Sequence, residues 1–293
     1  MAGPATDRPR VIYVMGAGRS GSTIFGVSLG NCPGVFYAGE LDDWLARSGV
    51  PLLEDDERRR FWSSVREQVE DADDLYGRES QRALERSASL FRIHMWPARR
   101  RLRAPYRRVA ESVYRAIDRA TGGAVVVDTS HYPLRARELQ SLDRIDLHLV
   151  YLLRDPQSVV ASFNRRDVAQ YSKSTLTANV YLWLTNLLSV LVFLRHPPAR
   201  RTFVRYEDFI ADPEATVRTI LERTGAGVTP PDFGALRTGI PFLGNRLIRS
   251  EVIALRAEPA RGTRSRVTAI LQAPWRPVLS RLRPNAALEV RSR

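Results

Sequence analysis

The chain has 293 residues, of which 44% are hydrophobic, with a net charge of +13 and a single cysteine, Cys32. These values exclude an internal disulfide and a cysteine-based metal cluster, and they predict one large domain with acidic ligands in a reducing, cytoplasmic setting. The first ten residues lack the apolar core of a signal peptide, so we do not expect secretion.

The N-terminal part predicts a strand, a glycine-rich loop and a helix. Residues 11–15 form a short apolar run, and the loop in "VMGAGRSGSTIF" leads into apolar positions that end at the breaker "NCPG". Residues 41–121 then become charged, with helical periodicity and few glycines. We interpret this segment as a helical insertion.

The second half predicts alternating strands and helices. "AVVVD" ends at Asp128 and "LHLVYLL" stops at Arg154, and both have the unbroken hydrophobicity of strands that are covered on two faces. A Pro133 helix lies between them, and "PQSVVASFNRR", a polar loop at 167–175, a long apolar helix, the strand "TFVRY" and a helix opened by Asp212 follow. The fold class is therefore α/β, with a central parallel sheet flanked by helices. We expect one domain over 1–293, with a core at 11–40 and 124–225 and a basic C-terminal segment at 226–293.

The apolar stretch 176–194 approaches the length of a membrane span. It carries polar residues that would be costly against lipid tails, among them Asn179 and Asn186. We therefore expect a buried amphipathic helix and no transmembrane segment.

The positive charge comes almost entirely from arginine, since Lys173 is the only lysine. Residues 252–293 hold nine arginines against two glutamates. Basic residues interleaved with aromatics along one element, or a reading helix, would indicate nucleic acid, and neither pattern is present. We expect no specific nucleic-acid partner and interpret the tail as a solvated surface that can touch an anionic ligand or a membrane.

The glycine loop is compatible with two common nucleotide motifs. Gly16, Gly18 and Gly21 have the G-x-G-x-x-G spacing of dinucleotide-binding proteins, with Glu40 where a ribose-binding acid would lie. Gly16 to Gly21 also has the spacing of the phosphate loop of kinases, although Ser22 replaces its lysine. Asp128 would then hold magnesium.

A third interpretation uses more of the polar residues. Arg19 precedes a run of donors at the start of a helix, which suits a phosphate monoester. That run is Ser20, Gly21, Ser22 and Thr23. Arg154 ends a buried strand and Ser162 follows eight residues later, so both can face one pocket if the intervening helix starts at Pro156. Two separate phosphate sites are implied.

These motifs resemble those of the sulfotransferases that use 3′-phosphoadenosine-5′-phosphosulfate (PAPS). In that family a "G-x-x-R-S-G-S-T" loop binds the 5′-phosphosulfate and "R-D-P-x-x-x-x-x-S" supplies an arginine and a serine to the 3′-phosphate. Both patterns occur here in the same order. The resemblance implies a P-loop-like fold, nucleotide contacts from Gly18 to Thr23, and further contacts from Arg154 and Ser162. "GNRLIR" is similar to a segment that closes over the nucleotide in relatives, which implies roles for Asn245 and Arg246.

The resemblance also implies in-line sulfuryl transfer without a metal ion, with Arg19 stabilising the departing phosphate. Two residues are candidates for the base that removes the acceptor proton. Glu40 lies in a "G-E-L" segment like that of bacterial relatives, and His131, in "DTSHYP", resembles the histidine of small-molecule sulfotransferases. Bacterial relatives tend to have "D-S-S-K" there, so the resemblance also allows His131 to replace that lysine beside the bridging oxygen. We favour Glu40, which needs burial to raise its pKa.

Two other functions remain open from the sequence. One is a nucleotide-dependent kinase, and the other is a basic protein that binds polyanions without catalysis. The sequence does not identify the acceptor, which we expect to be a small molecule, a glycan or a lipid, and it does not indicate the oligomeric state.

Overall fold

The computed structural model describes residues 8–53, 55–164, 173–256 and 265–282. Its centre is a five-stranded parallel sheet with the order β2-β3-β1-β4-β5. The strands are β1 (Arg10–Gly16), β2 (Val35–Gly39), β3 (Val125–His131), β4 (Asp146–Leu153) and β5 (Arg201–Arg205). Two short strands, β6 (Leu236–Arg237) and β7 (Val252–Ile253), pair antiparallel outside this sheet.

Helices cover both faces of the sheet. They are α1 (Ser22–Gly30), α2 (Asp56–Glu67), α3 (Trp96–Thr121), α4 (Pro133–Leu139), α5 (Pro156–Phe163), α6 (Thr175–Arg195), α7 (Tyr206–Ala211), α8 (Pro213–Thr224), α9 (Arg266–Gln272) and α10 (Trp275–Ser280). The predicted α/β class, with a central parallel sheet between helices, is confirmed.

The strands are apolar on both faces because each face packs against helices. Along β1, Val11 and Tyr13 point into one apolar cluster with residues of α3, α4 and α6, whereas Ile12 and Val14 point into another with residues of α1 and α8. Successive side chains of a strand alternate between faces, so an unbroken apolar run is what a doubly covered strand requires.

All five strands run parallel, so their carboxyl ends meet at one edge of the sheet. The glycine loop follows β1, and Gly16 at the end of that strand cannot carry a side chain. Its φ is 154°, and a Cβ there would lie 2.3 Å from the carbonyl oxygen of Leu152. This close approach brings the ends of β1 and β4 together.

The strand boundaries differ from the sequence prediction in two places. β3 continues three residues beyond Asp128 to His131, because its end pairs with Met15 of β1. Residues 35–39 form the edge strand β2, which was not predicted from the sequence, and neither was α7. The segment 41–121 is helical as expected, with α2 and α3 separated by short 3₁₀ and π turns. Most of the predicted polar loop at 167–175, and parts of the C-terminal segment, lie outside the described residues.

The helix expected at 176–194 is α6, and it is buried along one side. Helix α6 is long and apolar enough to cross a membrane by length and composition, and half of its most apolar window is buried in the protein. The buried side contains apolar residues such as Leu182, Val190 and Phe193 together with the polar residues Asn179, Thr185, Asn186 and Ser189, whereas several leucines on the other side are exposed. Asn186 is hydrogen-bonded there, since its Oδ1 accepts from the Tyr151 hydroxyl at 3.1 Å, whereas the Oγ of Ser189 has no partner among the described residues.

Candidate functional site

The glycine loop connects β1 to α1 and has the backbone of an anion-binding turn. Arg19 has a φ of 70° and Gly21, the N-cap of α1, has a φ of 90°. Gly21 has no side chain to cap the helix, so the amide groups of the first turn, at Ser22 and Thr23, are left for another acceptor. The free amide groups and the positive end of the helix dipole at the start of a helix favour the binding of an anion.

Two further features of the loop concern Ser20 and Gly18. The side chain of Ser20 is 1% exposed, and its Oγ has no hydrogen-bond partner among the described residues. The amide of Gly18 donates to the hydroxyl of Tyr181, which comes from α6, at 2.8 Å. Helix α6 therefore holds the glycine loop through Tyr181, while the buried hydroxyl of Ser20 remains available to a ligand.

Arg154 lies directly against this loop. Its Nη1 donates to the carbonyl oxygen of Arg19 at 3.2 Å, and its guanidinium stacks on the ring of Tyr206, 4.6 Å from the centroid. Tyr206 also contacts the loop, because a Cβ at Gly21 would lie 2.2 Å from its Cε2. The two arginine motifs thus form one site, and Tyr206 packs against both.

The segment that begins at Tyr206 also fixes the backbone after Arg154. The amide of Asp155 donates to Glu207 Oε1 at 2.8 Å, and the Asp155 side chain accepts from the amide of Ser158 at 3.1 Å. Helix α5 therefore starts at Pro156, the condition that the sequence analysis set for Ser162. Ser162 is half-buried in the last turn of that helix.

The predicted nucleotide residues Asn245 and Arg246 lie near the start of α1. A Cβ at Gly244 would lie 3.7 Å from Cγ2 of Thr23, which brings this segment beside the glycine loop. The side-chain oxygen of Asn245 accepts from the amide of Leu247 at 2.8 Å and so caps a short 3₁₀ helix. Asn245 and Arg246 are both exposed.

Glu40 follows β2 at the same edge of the sheet. Its amide donates to the carbonyl oxygen of Leu243 at 2.9 Å, a contact that needs Gly39, because a Cβ at Gly39 would lie 2.2 Å from that oxygen. Burial, together with the carboxylates of Asp43 and Asp128, raises the pKa of Glu40 to about 7, and Arg86 opposes this shift.

His131 lies on the other side of the glycine loop, where its Nε2 is 3.7 Å from the position of a Cβ on Gly18. Its φ is 58°, and a non-glycine residue in the left-handed region is held there by its surroundings. Its ring packs on Tyr132 with centroids 4.2 Å apart. Burial, with a contribution from Arg86, lowers the pKa of His131 to about 4, so the imidazole is neutral at pH 7.

A buried hydrogen-bond network lies between the segments that carry these two candidates. Asp128 is fully buried and accepts from the Tyr114 hydroxyl at 2.6 Å, from Arg135 Nη2 at 3.2 Å and from the amide of Ser130 at 2.9 Å. The Ser130 hydroxyl donates to Asp128 and accepts from the amide of Asp42 at 3.0 Å. The network therefore joins the end of β3 to the segment that follows Glu40.

Other titratable groups have structural surroundings. His148 Nε2 is 2.9 Å from the Thr202 hydroxyl and His196 Nε2 is 3.0 Å from the Leu147 carbonyl oxygen, both in the interior. Within the described ranges, no group of three or more His, Cys, Asp and Glu side chains is arranged to hold a metal ion.

Sequence reasoning missed three residues of this site. Tyr181 and Tyr206 hold the glycine loop, and Arg86 lies 4.2 Å from the centroid of the Tyr132 ring, close enough to influence Glu40 and His131. Tyr206 could have been predicted from the sequence, because it directly follows β5, the strand next to β4, and so lies at the same edge of the sheet. Tyr181 and Arg86 come from a long helix and from the insertion, with no comparable pattern.

Comparisons with known proteins identify the family of this chain. Residues 9–230 match the model of the sulfotransferase family. None of the curated proteins matches the chain significantly.

Solved structures with the same fold include three sulfotransferases. A sulfotransferase domain from the curacin biosynthetic pathway is 16% identical, with a TM-score of 0.51 over 91% of this chain and 97% of that domain. A sulfotransferase domain from the olefin synthase of Synechococcus PCC 7002 is 18% identical, with a TM-score of 0.51 over 93% of this chain and 96% of that domain. Sulfotransferase STF9 from Mycobacterium avium is 13% identical, with a TM-score of 0.53 over 95% of this chain and 77% of that protein. The family match covers most of the chain and includes the glycine loop, Glu40, His131 and Arg154, so this protein belongs to the sulfotransferase family.

Proposed function

We propose that this protein transfers a sulfuryl group from PAPS to a hydroxyl or amine of an acceptor. The proposal rests chiefly on the hydrogen bond from Arg154 Nη1 to the Arg19 carbonyl oxygen. This contact places the glycine loop and the Arg154 segment, the two candidate phosphate-binding motifs, in the same site. A nucleotide with phosphates at two positions is the ligand that needs both motifs side by side.

The residues of the site fit such a donor. The buried Oγ of Ser20, which lacks a partner in the described part of the chain, and the uncapped start of α1 suit the 5′-phosphosulfate. We assign the same phosphate to Gly18, Arg19, Gly21, Ser22 and Thr23. The 3′-phosphate is assigned to Arg154 and Ser162, and Asn245 and Arg246 to the nucleotide from the adjoining segment.

We assign the role of general base to Glu40. A base is most effective when its pKa is close to the working pH, and a pKa of about 7 meets this condition better than the value of about 4 for His131. His131 lies beside Gly18, on the donor side of the site. A neutral imidazole there can donate a hydrogen bond to the oxygen that leaves the sulfuryl group.

In the reaction, the Glu40 carboxylate accepts the acceptor proton as the acceptor oxygen or nitrogen bonds to sulfur. The bond between sulfur and the 5′-phosphate oxygen breaks, and its electron pair stays on that oxygen. Arg19 and the hydroxyls of Ser22 and Thr23 stabilise the charge that develops there. We assign the 41–121 insertion to the acceptor side, because Arg86 brings its charge close to both Glu40 and His131.

The test combines binding and transfer. Calorimetry with 3′,5′-bisphosphoadenosine should give a single site, and Arg154→Ala should weaken it more than tenfold, because loss of a charge-assisted contact costs about 1.5–3 kcal/mol. Arg218→Ala, which removes an exposed arginine on α8, is the matched control.

Sulfated product should appear in cell extracts incubated with enzyme and PAPS, as a mass increase of about 80 Da. Magnesium-dependent turnover of ATP without sulfate transfer would instead indicate a kinase. Polyanion binding that falls steeply with salt, with no transfer, would indicate a binding protein.

A further inference from the structure

The outer face of α6 is an apolar stripe. Six large apolar residues at spacings of three or four are between 39% and 62% exposed. They are Leu176, Val180, Trp183, Leu187, Leu191 and Leu194. These spacings place all six on one side of the helix, over a length of about 27 Å at about 1.5 Å per residue. Soluble monomers rarely expose a contiguous apolar surface of this length without a partner for it.

The inner face of the same helix combines apolar residues, among them Leu182, Val190 and Phe193, with polar ones. Asn179 is 1% exposed and is hydrogen-bonded to Thr268 and Gln272, at 3.1 and 2.9 Å. Thr185 and Ser189 are also buried. Helix α6 therefore buries both of its asparagines and part of its apolar surface, and it still presents a row of large apolar residues outwards. That outer row is suited to an apolar environment outside the protein.

Helices α9 and α10 extend this surface. Trp183 Nε1 donates to the carbonyl oxygen of Leu271 at 2.6 Å, and the rings of Trp183 and Trp275 are 5.0 Å apart. Beside these contacts, Val267, Ile270 and Val278 are exposed. We call the outer surface of α6, α9 and α10 the α6 face.

The segments that form the α6 face carry basic residues and no acidic ones. Residues 173–196 and 265–282 contain five lysines and arginines and no aspartate or glutamate. They are Lys173, Arg195, Arg266, Arg276 and Arg281. An apolar stripe flanked by cations is complementary to a surface that has apolar chains beneath anionic groups.

We propose that the α6 face binds the surface of an anionic phospholipid membrane, with α6 lying parallel to it. The leucines would enter the boundary between headgroups and acyl chains, Trp183 would lie at headgroup level, and the arginines would contact lipid phosphates. A membrane-spanning orientation does not suit α6, because Asn179 and Asn186 are hydrogen-bonded inside the protein. A symmetric contact with a second copy would bring like charges together.

The apolar stripe on α6 lies close to the candidate functional site. Tyr181 of α6 accepts a hydrogen bond from the glycine loop at Gly18, so the N-terminal end of the stripe lies near the catalytic edge of the sheet. A protein bound through the α6 face would therefore hold that edge close to the membrane. The inference goes beyond the proposed reaction and does not depend on it.

The test is sedimentation of the full chain with vesicles of equimolar phosphatidylglycerol and phosphatidylcholine. The protein should sediment with these vesicles, far less with phosphatidylcholine alone, and less at high salt. The double variant Leu187→Gln/Leu191→Gln should partition at least about tenfold more weakly, because each leucine loses the burial of roughly half a side chain.

Matched controls distinguish a specific effect of the α6 face from a general loss of surface hydrophobicity and from misfolding of the variant. Leu52→Gln/Val252→Gln changes two exposed apolar residues elsewhere and should leave vesicle binding unchanged. Both double variants should keep the wild-type circular dichroism and melting temperature. Equal vesicle binding by wild type and the Leu187/Leu191 variant, or no binding by either, would overturn the proposal. If sedimentation velocity shows a dimer that the same variant abolishes, without vesicle binding, the occupant is a second copy.

Discussion

Glu40→Gln should stabilise the fold at neutral and alkaline pH while it abolishes most of the activity. The folded protein raises the pKa of Glu40 from 4.5 to about 7, chiefly by burial. A raised carboxyl pKa means that the folded state binds the proton more tightly than the unfolded state does. Ionisation of Glu40 therefore destabilises the native protein as the pH rises through this range.

The size of the effect follows from the shift. Each pKa unit corresponds to about 1.36 kcal/mol, so fully ionised Glu40 destabilises the fold by roughly 3 kcal/mol above pH 7. Most of this penalty develops between about pH 5 and pH 8. Glutamine resembles the protonated form and carries no such penalty. The gain in stability should therefore be small near pH 5 and approach roughly 3 kcal/mol at pH 8 and above.

Urea denaturation at pH 5 and pH 8, monitored by circular dichroism, measures this difference directly. Glu222→Gln changes an exposed glutamate on α8 and serves as the control. The activity of Glu40→Gln should fall by about 10²- to 10⁴-fold, as is typical when a general base is removed, with nucleotide affinity retained. A stability difference that is the same at both pH values would refute the burial argument, and an unchanged kcat would refute the assignment of the base.

Four further variants test other parts of the site. Arg154→Lys should bind 3′,5′-bisphosphoadenosine more tightly than Arg154→Ala but more weakly than wild type in calorimetry, because lysine keeps the charge without the paired donors. Gly21→Ala should lower thermal stability by about 1–3 kcal/mol, since the residue has a positive φ and a Cβ would overlap Tyr206; a neutral effect would contradict the packing. Asp128→Asn should cost about 1–3 kcal/mol in chemical denaturation, because it removes one of the two carboxylates that pair with the buried Arg135 while Glu85 remains. A loss well below about 1 kcal/mol would show that the network is not stabilising. His131→Asn should lower kcat while the rise of activity near pH 7 persists, and disappearance of that limb would make His131 the base.

The sequence was sufficient to place the principal residues at one edge because of a topological rule. Arg19 follows an apolar run and Arg154 ends another, and parallel strands bring their carboxyl ends together. The contact between Arg154 and the loop follows from β1 and β4 being neighbours in the sheet. His131 reached the same edge although its strand is three residues longer than predicted, because added strand residues extend towards that edge.

The supporting contacts could not be predicted in the same way. Tyr181 contacts Gly18 across 163 positions of sequence, and Glu207 contacts Asp155 across 52. Such pairs depend on the packing of helices against the sheet, which local periodicity does not specify. The elevated pKa of Glu40 belongs to the same class, because it depends on burial and on the carboxylates that the fold brings near it.

Helix α6 shows a different limit of sequence reasoning. Hydrophobicity indicates that a residue avoids water, but it does not say whether the protein or another apolar phase covers it. The leucines of α6 suggested burial in the core, and the asparagines argued against a membrane span. In the structure both asparagines and part of the apolar residues lie inside, while a row of large apolar residues remains exposed. Polar residues in an apolar run therefore argue against a membrane span without showing that the protein covers the rest of the run.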